Sequence, residues 1–191
     1  MIDKKADILN SGRKLFYLKG FKDTNVSDIT KMAGTGVGTF YNYYSSKEKL
    51  FFDIYFKENE KIKMHIMESI NVNDDPSVVV KKIMTQTIGA MDSNLILKEW
   101  YNKDISSELE QYYREEYSRN DDFYNFCTEL FKKWRAEGKI RDDIDDGLLL
   151  TFINFIVYSD THKKEMGIQY YPQFTQYLVE FIMKGLTDCR K

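Results

Sequence analysis

Apolar residues recur along most of this chain at every third or fourth position, which is the spacing of amphipathic helices. The clearest stripe includes Phe174, Leu178 and Phe181, which are separated by polar residues that fall on the opposite side. The segment 148–162 is apolar around most of its circumference, as expected of a helix buried from two sides. Because no segment shows a convincing strand pattern, the sequence predicts an all-α protein of about nine helices.

Capping and stop residues predict the helix boundaries. Asn25 and Ser45, each followed three positions later by an acidic residue, are expected to cap the second and fourth helices. Gly20 and Gly138 are expected to end the helices that precede them. The predicted helices cover residues 4–18, 25–33, 37–44, 45–69, 76 onwards, 95–116, 122–137, 148–162 and 172–187.

The segment 28–50 has the order of a helix-turn-helix: a helix, a glycine-bearing turn, a short helix and a capped helix start. In such a motif the second helix enters the DNA major groove. The short helix contains Gly38 and is too brief to be stable alone, so Phe40 and Tyr44 are expected to anchor it on the first two helices. The alternative is a solvated pair of helices, because short glycine-containing connections are common.

The remaining side of the short helix is then free to face DNA. Valine and threonine methyl groups suit thymine, an asparagine amide suits an adenine edge, and tyrosine and lysine suit phosphates. The predicted DNA-binding residues are Asn25, Thr35, Gly36, Val37, Gly38, Thr39, Tyr41, Asn42, Tyr43 and Lys47.

Charge divides the chain unevenly. Residues 1–50 carry nine Lys or Arg against five acids, whereas the other residues carry 19 against 25. A basic end on an acidic body suits a protein that presents one end to phosphates, although a split of this size also arises by chance. No apolar run approaches the roughly 20 residues that span a bilayer. With two cysteines and no apolar leader segment, a cytoplasmic protein is expected.

The run 33–50 and upstream positions such as Phe16, Gly20 and Ile29 resemble the head signature of the tetracycline-repressor (TetR) family. The resemblance covers about the first fifty residues, and beyond them only the helical architecture is similar. It implies a DNA-binding domain over 1–46 and a helical ligand-binding and dimerisation domain over 47–191. The chain departs from the family at Thr30, which is usually alanine, and at Thr35, which is usually valine.

The resemblance also implies a homodimeric repressor that binds a palindromic operator and is released when a small molecule enters its body. Phosphate contacts at Tyr41, Tyr43 and Lys47 are implied as well. A shift of the fourth helix, which is continuous with the head, would change the spacing of the two heads.

Aromatic residues, 15% of the chain, predict a ligand pocket in the body, since aromatic walls with a few polar groups suit flat, apolar or cationic ligands. A small apolar or aromatic effector is expected. The alternative for each residue is ordinary core or surface. The predicted pocket residues are Met64, Met84, Thr87, Met91, Trp100, Tyr101, Tyr113, Phe123, Tyr124, Cys127, Asn154, Phe155 and Tyr158.

The last two helices carry more apolar surface than a small body needs, which predicts a four-helix dimer interface about a two-fold axis. The alternative is an internal helix hairpin of a monomer. The predicted interface residues are Leu149, Phe152, Ile153, Ile156, Val157, Phe174, Tyr177, Leu178, Phe181, Ile182 and Gly185.

No nucleophile elbow, phosphate loop or dinucleotide fingerprint is visible, so an enzyme is not expected. His65 and His162 stand apart from other metal ligands, so neither a metal site nor a cofactor is predicted. The predicted partners are double-stranded operator DNA, a second copy of the chain and a small-molecule effector, with no membrane. The alternative is a constitutive DNA-binding protein whose body docks a protein partner.

Overall fold

The computed structural model describes residues 3–99, 102, 105–112, 122–161, 167 and 173–188. The described residues form ten helices and no strand, which confirms the all-α prediction. The helices are α1 (Lys4–Lys19), α2 (Val26–Met32), α3 (Val37–Tyr41), α4 (Lys47–Ser69), α5 (Pro76–Ser93), α6 (Leu95–Lys98), α7 (Ser106–Tyr112), α8 (Asp122–Ala136), α9 (Asp146–Thr161) and α10 (Gln173–Thr187).

The chain divides into two compact units. The first consists of residues 1–62 and 90–119, and the second of residues 63–89 and 120–191. α4 and α5 each contribute residues to both units. The functional boundary predicted between residues 46 and 47 stays a prediction.

An aromatic core holds the first unit together. The ring of Phe51 meets those of Phe16 and Phe21 edge to face, with centroids 5.0 Å apart in each pair, and Phe16 and Phe21 stack on each other at 6.0 Å. Edge-to-face pairing matches the positive edge of one ring to the negative face of another. Ile8 and Ile29 are fully buried in the same cluster. The core therefore joins α1, α2 and the start of α4.

Gly12 lies at a close contact of α1 with α4. A Cβ atom added at this position would lie 2.8 Å from Cδ2 of Leu50 and 3.2 Å from Cδ1 of Ile54. A larger residue would therefore force the buried side chain of Leu50 to shift, so the glycine allows the two helices to pack as they do.

Tyr112, the last residue of α7, packs on α4. Its hydroxyl donates to Asp53 at 2.7 Å, and its ring lies 5.3 Å from the ring of Phe52. The ammonium group of Lys49 lies 4.3 Å from the centre of the same ring. One side chain thus combines a charge-assisted hydrogen bond, ring packing and a cation–π contact.

In the second unit, polar contacts join the end of α8 to the start of α9. Arg135 donates to Asp146 at 2.5 Å and to the carbonyl oxygen of Ile144 at 2.6 Å. Trp134, on the neighbouring position of α8, is 1% exposed and packs in the core with Leu149 and Ile156. α8, α9 and α10 thereby enclose the interior of this unit.

The single helix predicted over 95–116 is wrong in its described part, because α6 and α7 are separate. Asn94 caps α6 by accepting from the amide of Ile96 at 2.9 Å, and the helix ends after one turn at Glu99. The Glu99 carboxylate instead accepts from the side-chain amide of Asn102 at 2.6 Å and from the backbone amide of Phe21 at 3.0 Å. These contacts favour a turn where the helix would otherwise continue.

The cap of the fourth helix also differs from the prediction by one residue. The hydroxyl of Ser46, and not that of Ser45, accepts from the backbone amide of Lys49, at 3.3 Å. Gly138, by contrast, has a φ of +66° just after α8, as predicted for a helix stop.

Candidate nucleic-acid interface

Asn25 begins the helix-turn-helix by capping α2. Its Oδ1 accepts from the backbone amide of Asp28 at 2.8 Å, and its Nδ2 donates to the Asp28 carboxylate at 3.2 Å. Lys19 also donates to this carboxylate, at 2.8 Å, and holds the pKa of Asp28 below its ordinary value. The predicted cap is confirmed. The side chain of Asn25 therefore already makes two hydrogen bonds at the N-terminal end of the motif.

The turn between α2 and α3 is a Schellman motif centred on Gly34. This glycine has a φ of +61°, and its backbone amide donates to the carbonyl oxygen of Lys31 at 3.3 Å. The amide of Thr35 donates to the carbonyl oxygen of Thr30 at 2.9 Å, which is the second bond of the motif. The left-handed backbone that this turn requires is accessible to glycine without steric cost.

Thr30 and Thr35 fit this turn without disturbing it. Thr30 is 3% exposed, and its hydroxyl donates to the carbonyl oxygen of Ser27 at 3.1 Å, so the buried polar group is satisfied. Thr35 takes part through its backbone amide, which any residue supplies. The two departures from the family pattern therefore leave the geometry of the motif intact.

Phe40 anchors the short helix α3. It is fully buried, and Tyr44, 4% exposed, lies with its ring 5.9 Å from that of Phe40. A helix of five residues is not stable alone, so these two rings hold α3 against α1 and α2. The predicted anchoring of α3 is confirmed.

The other side of α3 is open to solvent. Val37, Tyr41 and Tyr43 are 45%, 55% and 44% exposed. Gly36, Gly38 and Asn42 are exposed as well, while Thr35 and Thr39 are half-buried. A Cβ atom at Gly36 or Gly38 would meet no atom within 4 Å. Methyl, amide and hydroxyl groups therefore share one surface on which the backbone is accessible.

Lys47 does not extend from this surface. Its ammonium group donates to the carbonyl oxygens of Phe21 and Thr24, each at 2.9 Å. Burial removes water from the ammonium group, and this effect lowers the pKa of Lys47 despite nearby carboxylates. The side chain joins the start of α4 to the turn between α1 and α2, a role that its position in the sequence does not reveal.

Two lysines that the sequence prediction omitted lie beside the exposed surface. Lys5 and Lys49 border a cleft of about 220 Å³ together with Tyr43 and Ser45. Tyr44 lies at the same cleft, and burial raises the pKa of its hydroxyl to about 12. The Asp53 carboxylate also lines the cleft, where it accepts from Tyr112, so the described lining carries two positive charges and one negative charge. Ammonium and serine hydroxyl groups are groups that bind phosphate oxygens. The signal for both lysines was present in the basic N-terminal charge, but their meeting point requires the fold.

The residues predicted to line a ligand pocket differ in burial, and the pocket that they would form stays a prediction. Met84 and Cys127 are buried, Thr87, Met91 and Phe123 are half-buried, and Met64, Tyr124, Asn154, Phe155 and Tyr158 are exposed. Met91 belongs to the first unit, whereas the other described members belong to the second. Trp100, Tyr101 and Tyr113 lie outside the described residues.

The residues predicted for a dimer interface fall into three groups. Leu149 and Ile156 are buried, Phe152, Ile153, Phe174, Leu178 and Ile182 are half-buried, and Tyr177, Phe181 and Gly185 are exposed. The side chain of Val157 lies outside the described part of the structure. Phe155 and Tyr158, which were predicted to line a pocket, are 48% and 55% exposed on α9.

Within the described ranges, no group of three or more His, Cys, Asp or Glu side chains is placed to hold a metal ion. No helix in the same ranges has the length and hydropathy needed to cross a bilayer.

Comparisons with known proteins agree with this geometry. Residues 8–54 match the model of the family described as bacterial regulatory proteins, tetR family. The HTH-type transcriptional regulator YxaF of Bacillus subtilis is 22% identical over 135 residues, which are 70% of this chain and 67% of that protein. The matches to four other regulators of this organism cover 24–45% of their lengths.

Two solved structures share the fold over nearly the whole chain. RolR bound to resorcinol has a TM-score of 0.68 at 16% identity, with 96% of this chain and 87% of that chain covered. FadR of Bacillus subtilis bound to stearoyl-CoA has a TM-score of 0.65 at 18% identity, with 95% and 99% covered. At such identities the likeness concerns the fold alone.

Proposed function

Because the chain belongs to the tetR family of DNA-binding transcriptional regulators, we propose that it is a homodimeric repressor released from a palindromic operator by a small apolar or aromatic ligand. The observation that carries the proposal is the exposed face of α3, with Val37, Tyr41 and Asn42, held in place by the buried ring of Phe40.

Base readout is assigned to the exposed side of α3. The methyl groups of Val37 contact thymine, and the amide of Asn42 bonds an adenine edge in the major groove. Tyr41 and Tyr43 donate to phosphates on either side, joined by Lys5 and Lys49 at the adjacent cleft. Phosphate contacts fix the register of the helix, while the few base contacts select the sequence.

Dimerisation is assigned to the outer faces of α9 and α10. Large apolar side chains, between 42% and 65% exposed, cover both helices: Leu148, Phe155, Tyr158, Tyr177 and Phe181. The rings of Tyr177 and Phe181 stack with centroids 6.0 Å apart. A second copy related by a two-fold axis offers the same surface in return, so one patch covers the other.

Two-fold symmetry also suits the operator. Two identical heads read two half-sites of a palindrome when their α3 helices lie about 34–36 Å apart, or a multiple of that distance. An effector releases the operator if it binds more tightly to a second conformation, in which the α3 helices have a spacing that does not fit the operator. The operator affinity then falls by the ratio of the effector's affinities for the two conformations.

The test is a binding titration on a labelled duplex taken from the DNA upstream of the chain's own gene. We expect tight binding with a steep salt dependence, weakened for every sequence by Tyr41→Phe and at one base position by Asn42→Ala. Binding no tighter than to random DNA would contradict the assignment of this duplex as the operator.

The effector is tested separately by melting the protein with a compound collection. A ligand that binds only the native state adds about 2.7 kcal/mol at 100 times its dissociation constant. A stabilising compound that also lowers operator affinity supports the repressor. Tight operator binding with no such compound would favour constitutive DNA binding and a body that docks a protein.

A further inference from the structure

A long groove of about 810 Å³ runs between α5 and α10 within the second unit. It is bordered from Ser77 to Gly89 on α5 and from Thr175 to Thr187 on α10. At 1.5 Å per helical residue, each wall is about 18 Å long. The volume falls within the roughly 300–1,000 Å³ of small-molecule sites, and its length suits an extended ligand.

The groove has an apolar floor. Met84 and Met183 line it at 3% and 4% exposure, and Ile88 and Val179 extend the same surface. Methionine side chains are unbranched and adapt to ligands of irregular shape. Among the described residues that the sequence predicted for a pocket, Met84 alone lines this groove, so the aromatic pattern did not predict this site.

A buried hydroxyl adds polar character to one wall. Thr175 lines the groove at 8% exposure, and its Oγ1 has no hydrogen-bond partner among the described residues. Buried polar atoms are nearly always paired with protein, water or ligand. The groove thus contains a hydrogen-bonding group that the surrounding described residues leave unpaired.

Charged side chains stand at the rim. Lys81 on α5 and Lys184 on α10 make no ion pair in the described part of the chain, and neither does Glu180, which lines the groove from α10. The rim therefore carries two positive charges and one negative charge. This balance attracts a single anionic group and disfavours a cationic one.

We propose that this groove binds an extended small molecule with an apolar chain and one anionic group, such as a carboxylate. The chain lies over Met84 and Met183, and the anionic group lies at the rim lysines with Thr175 in hydrogen-bonding reach. The inference of binding depends on the groove alone, whereas a regulatory effect of that binding rests on the proposed function.

The groove and the proposed dimer face do not compete for α10. Thr175, Val179 and Met183 form one row of side chains, and Tyr177 and Phe181 form another that is two positions further along. Two positions correspond to about 200° around a helix, so the rows point in nearly opposite directions. A dimer therefore leaves this wall of the groove accessible.

Gly89 allows the groove to be filled by mutation. A Cβ atom at this position would meet no atom of the described residues within 4 Å, and the φ of Gly89 is outside the left-handed region. Gly89→Leu places a side chain in the groove, while Gly89→Ala makes the same change of helix propensity with a single methyl group. Both variants are expected to melt at or above the temperature of the wild type.

The experiment is calorimetric titration of the full chain with three ligands that share a ten-carbon chain: decanoate, decanol and decyltrimethylammonium. We expect decanoate to bind at least tenfold more tightly than decyltrimethylammonium. Gly89→Leu is expected to weaken decanoate at least tenfold and Gly89→Ala less than twofold. Lys81→Gln combined with Lys184→Gln is expected to abolish the preference for decanoate over decanol, and Thr175→Val to weaken decanoate severalfold.

Failure of decanoate to bind, equal binding by the cationic ligand, or full binding to Gly89→Leu would overturn the groove inference. Operator titrations with and without decanoate report on the repressor separately. Binding that Gly89→Leu abolishes, without any change in operator affinity, would support the groove and contradict its regulatory effect. Operator release that persists in Gly89→Leu would place the effector at another site and overturn the inference.

Discussion

The ammonium group of Lys47 lies 4.0 Å from the centre of the Phe21 ring and 2.9 Å from the Phe21 carbonyl oxygen. The contact joins the first turn of α4 to the turn that follows α1. Glu99 binds the same turn from α6, because its carboxylate accepts from the amide of Phe21 at 3.0 Å. The turn that leads into α2 is therefore fixed by the Lys47 ammonium group at its carbonyl oxygens and by the Glu99 carboxylate at its amide.

Replacing Lys47 with methionine separates positioning from phosphate contact. We expect operator affinity to fall while the slope of log K against log salt stays unchanged, because the ammonium group bonds protein carbonyls. A phosphate contact would instead reduce the slope by about 0.9. Lost hydrogen bonds of a charged donor are also expected to destabilise the protein by about 1–3 kcal/mol. Salt titrations and urea denaturation of both proteins measure these effects.

The matched control is Lys22→Met, which removes the same charge from an exposed residue of the same turn. Its stability is expected to stay within about 0.5 kcal/mol of the wild type. A salt slope that falls in Lys47→Met would show that Lys47 leaves its carbonyl partners when DNA binds.

Ionisation of Glu58 should make the free energy of unfolding depend on pH. Burial opposes its ionisation, but hydrogen bonds from Arg13 at 2.7 Å and Lys61 at 2.9 Å outweigh this effect and lower its pKa. The stabilisation is therefore complete above the unfolded pKa, about 4.3, and is lost as pH falls through the folded pKa. We expect Glu58→Gln to cost about 1–2 kcal/mol at pH 7, since Arg13 is partly exposed, and progressively less below pH 4.

Urea denaturation of wild type and Glu58→Gln between pH 7 and pH 3 measures this difference. Glu60→Gln, at an exposed position of α4, serves as the control and is expected to change stability little at any pH. A constant difference for Glu58→Gln across this range would mean that the carboxylate is not the source of the stabilisation.

Alanine substitutions at Gly34 and Gly36 should separate an effect on stability from an effect on DNA binding. Gly34→Ala forces alanine to adopt a φ of +61° and is expected to cost about 1–2 kcal/mol. Gly36→Ala meets no atom within 4 Å at a φ of −92°, so stability is retained while the added methyl group hinders approach to DNA. Melting curves and operator titrations test the pair. Equal losses of stability in both variants would contradict this division.

Phe181→Glu should dissociate the proposed dimer without unfolding the protomer, because Phe181 is 65% exposed. Leu149→Ala should instead destabilise the fold of the protomer without acting directly on the interface, because Leu149 is 1% exposed and truncation in a core costs about 2–5 kcal/mol. Sedimentation equilibrium and circular dichroism distinguish the outcomes. A Phe181→Glu protein that keeps the oligomeric state of the wild type would place the interface elsewhere.

The helix-turn-helix was predictable because its signals are local. The cap at Asn25 and the left-handed turn at Gly34 each depend on residues within a few positions of one another, and the apolar residue Phe40 marks the buried side of the short helix. Thr30 is a buried polar residue in this motif, and its hydroxyl group is satisfied by a hydrogen bond to the carbonyl oxygen of Ser27, only three residues away.

The remaining features depend on contacts between distant parts of the sequence. The break between α6 and α7 depends on Glu99, which bonds Phe21 78 positions away. Likewise, periodicity marks Phe155 as apolar on α9 but does not indicate which side of that helix is exposed. The described lining of the groove between α5 and α10 contains no aromatic residue, so a search for aromatic residues does not find it.

The burial of Phe40 and Tyr44 beneath an exposed surface has a consequence for how such a protein changes over generations. Tyr41 contributes a ring contact to Phe40, at 5.3 Å between centroids, whereas Val37 and Asn42 are exposed, so replacing these two residues is expected to cost little stability. Under the proposed function, a lineage carrying this helix-turn-helix can acquire a new target sequence through a few substitutions, while selection on the two anchoring rings preserves the scaffold.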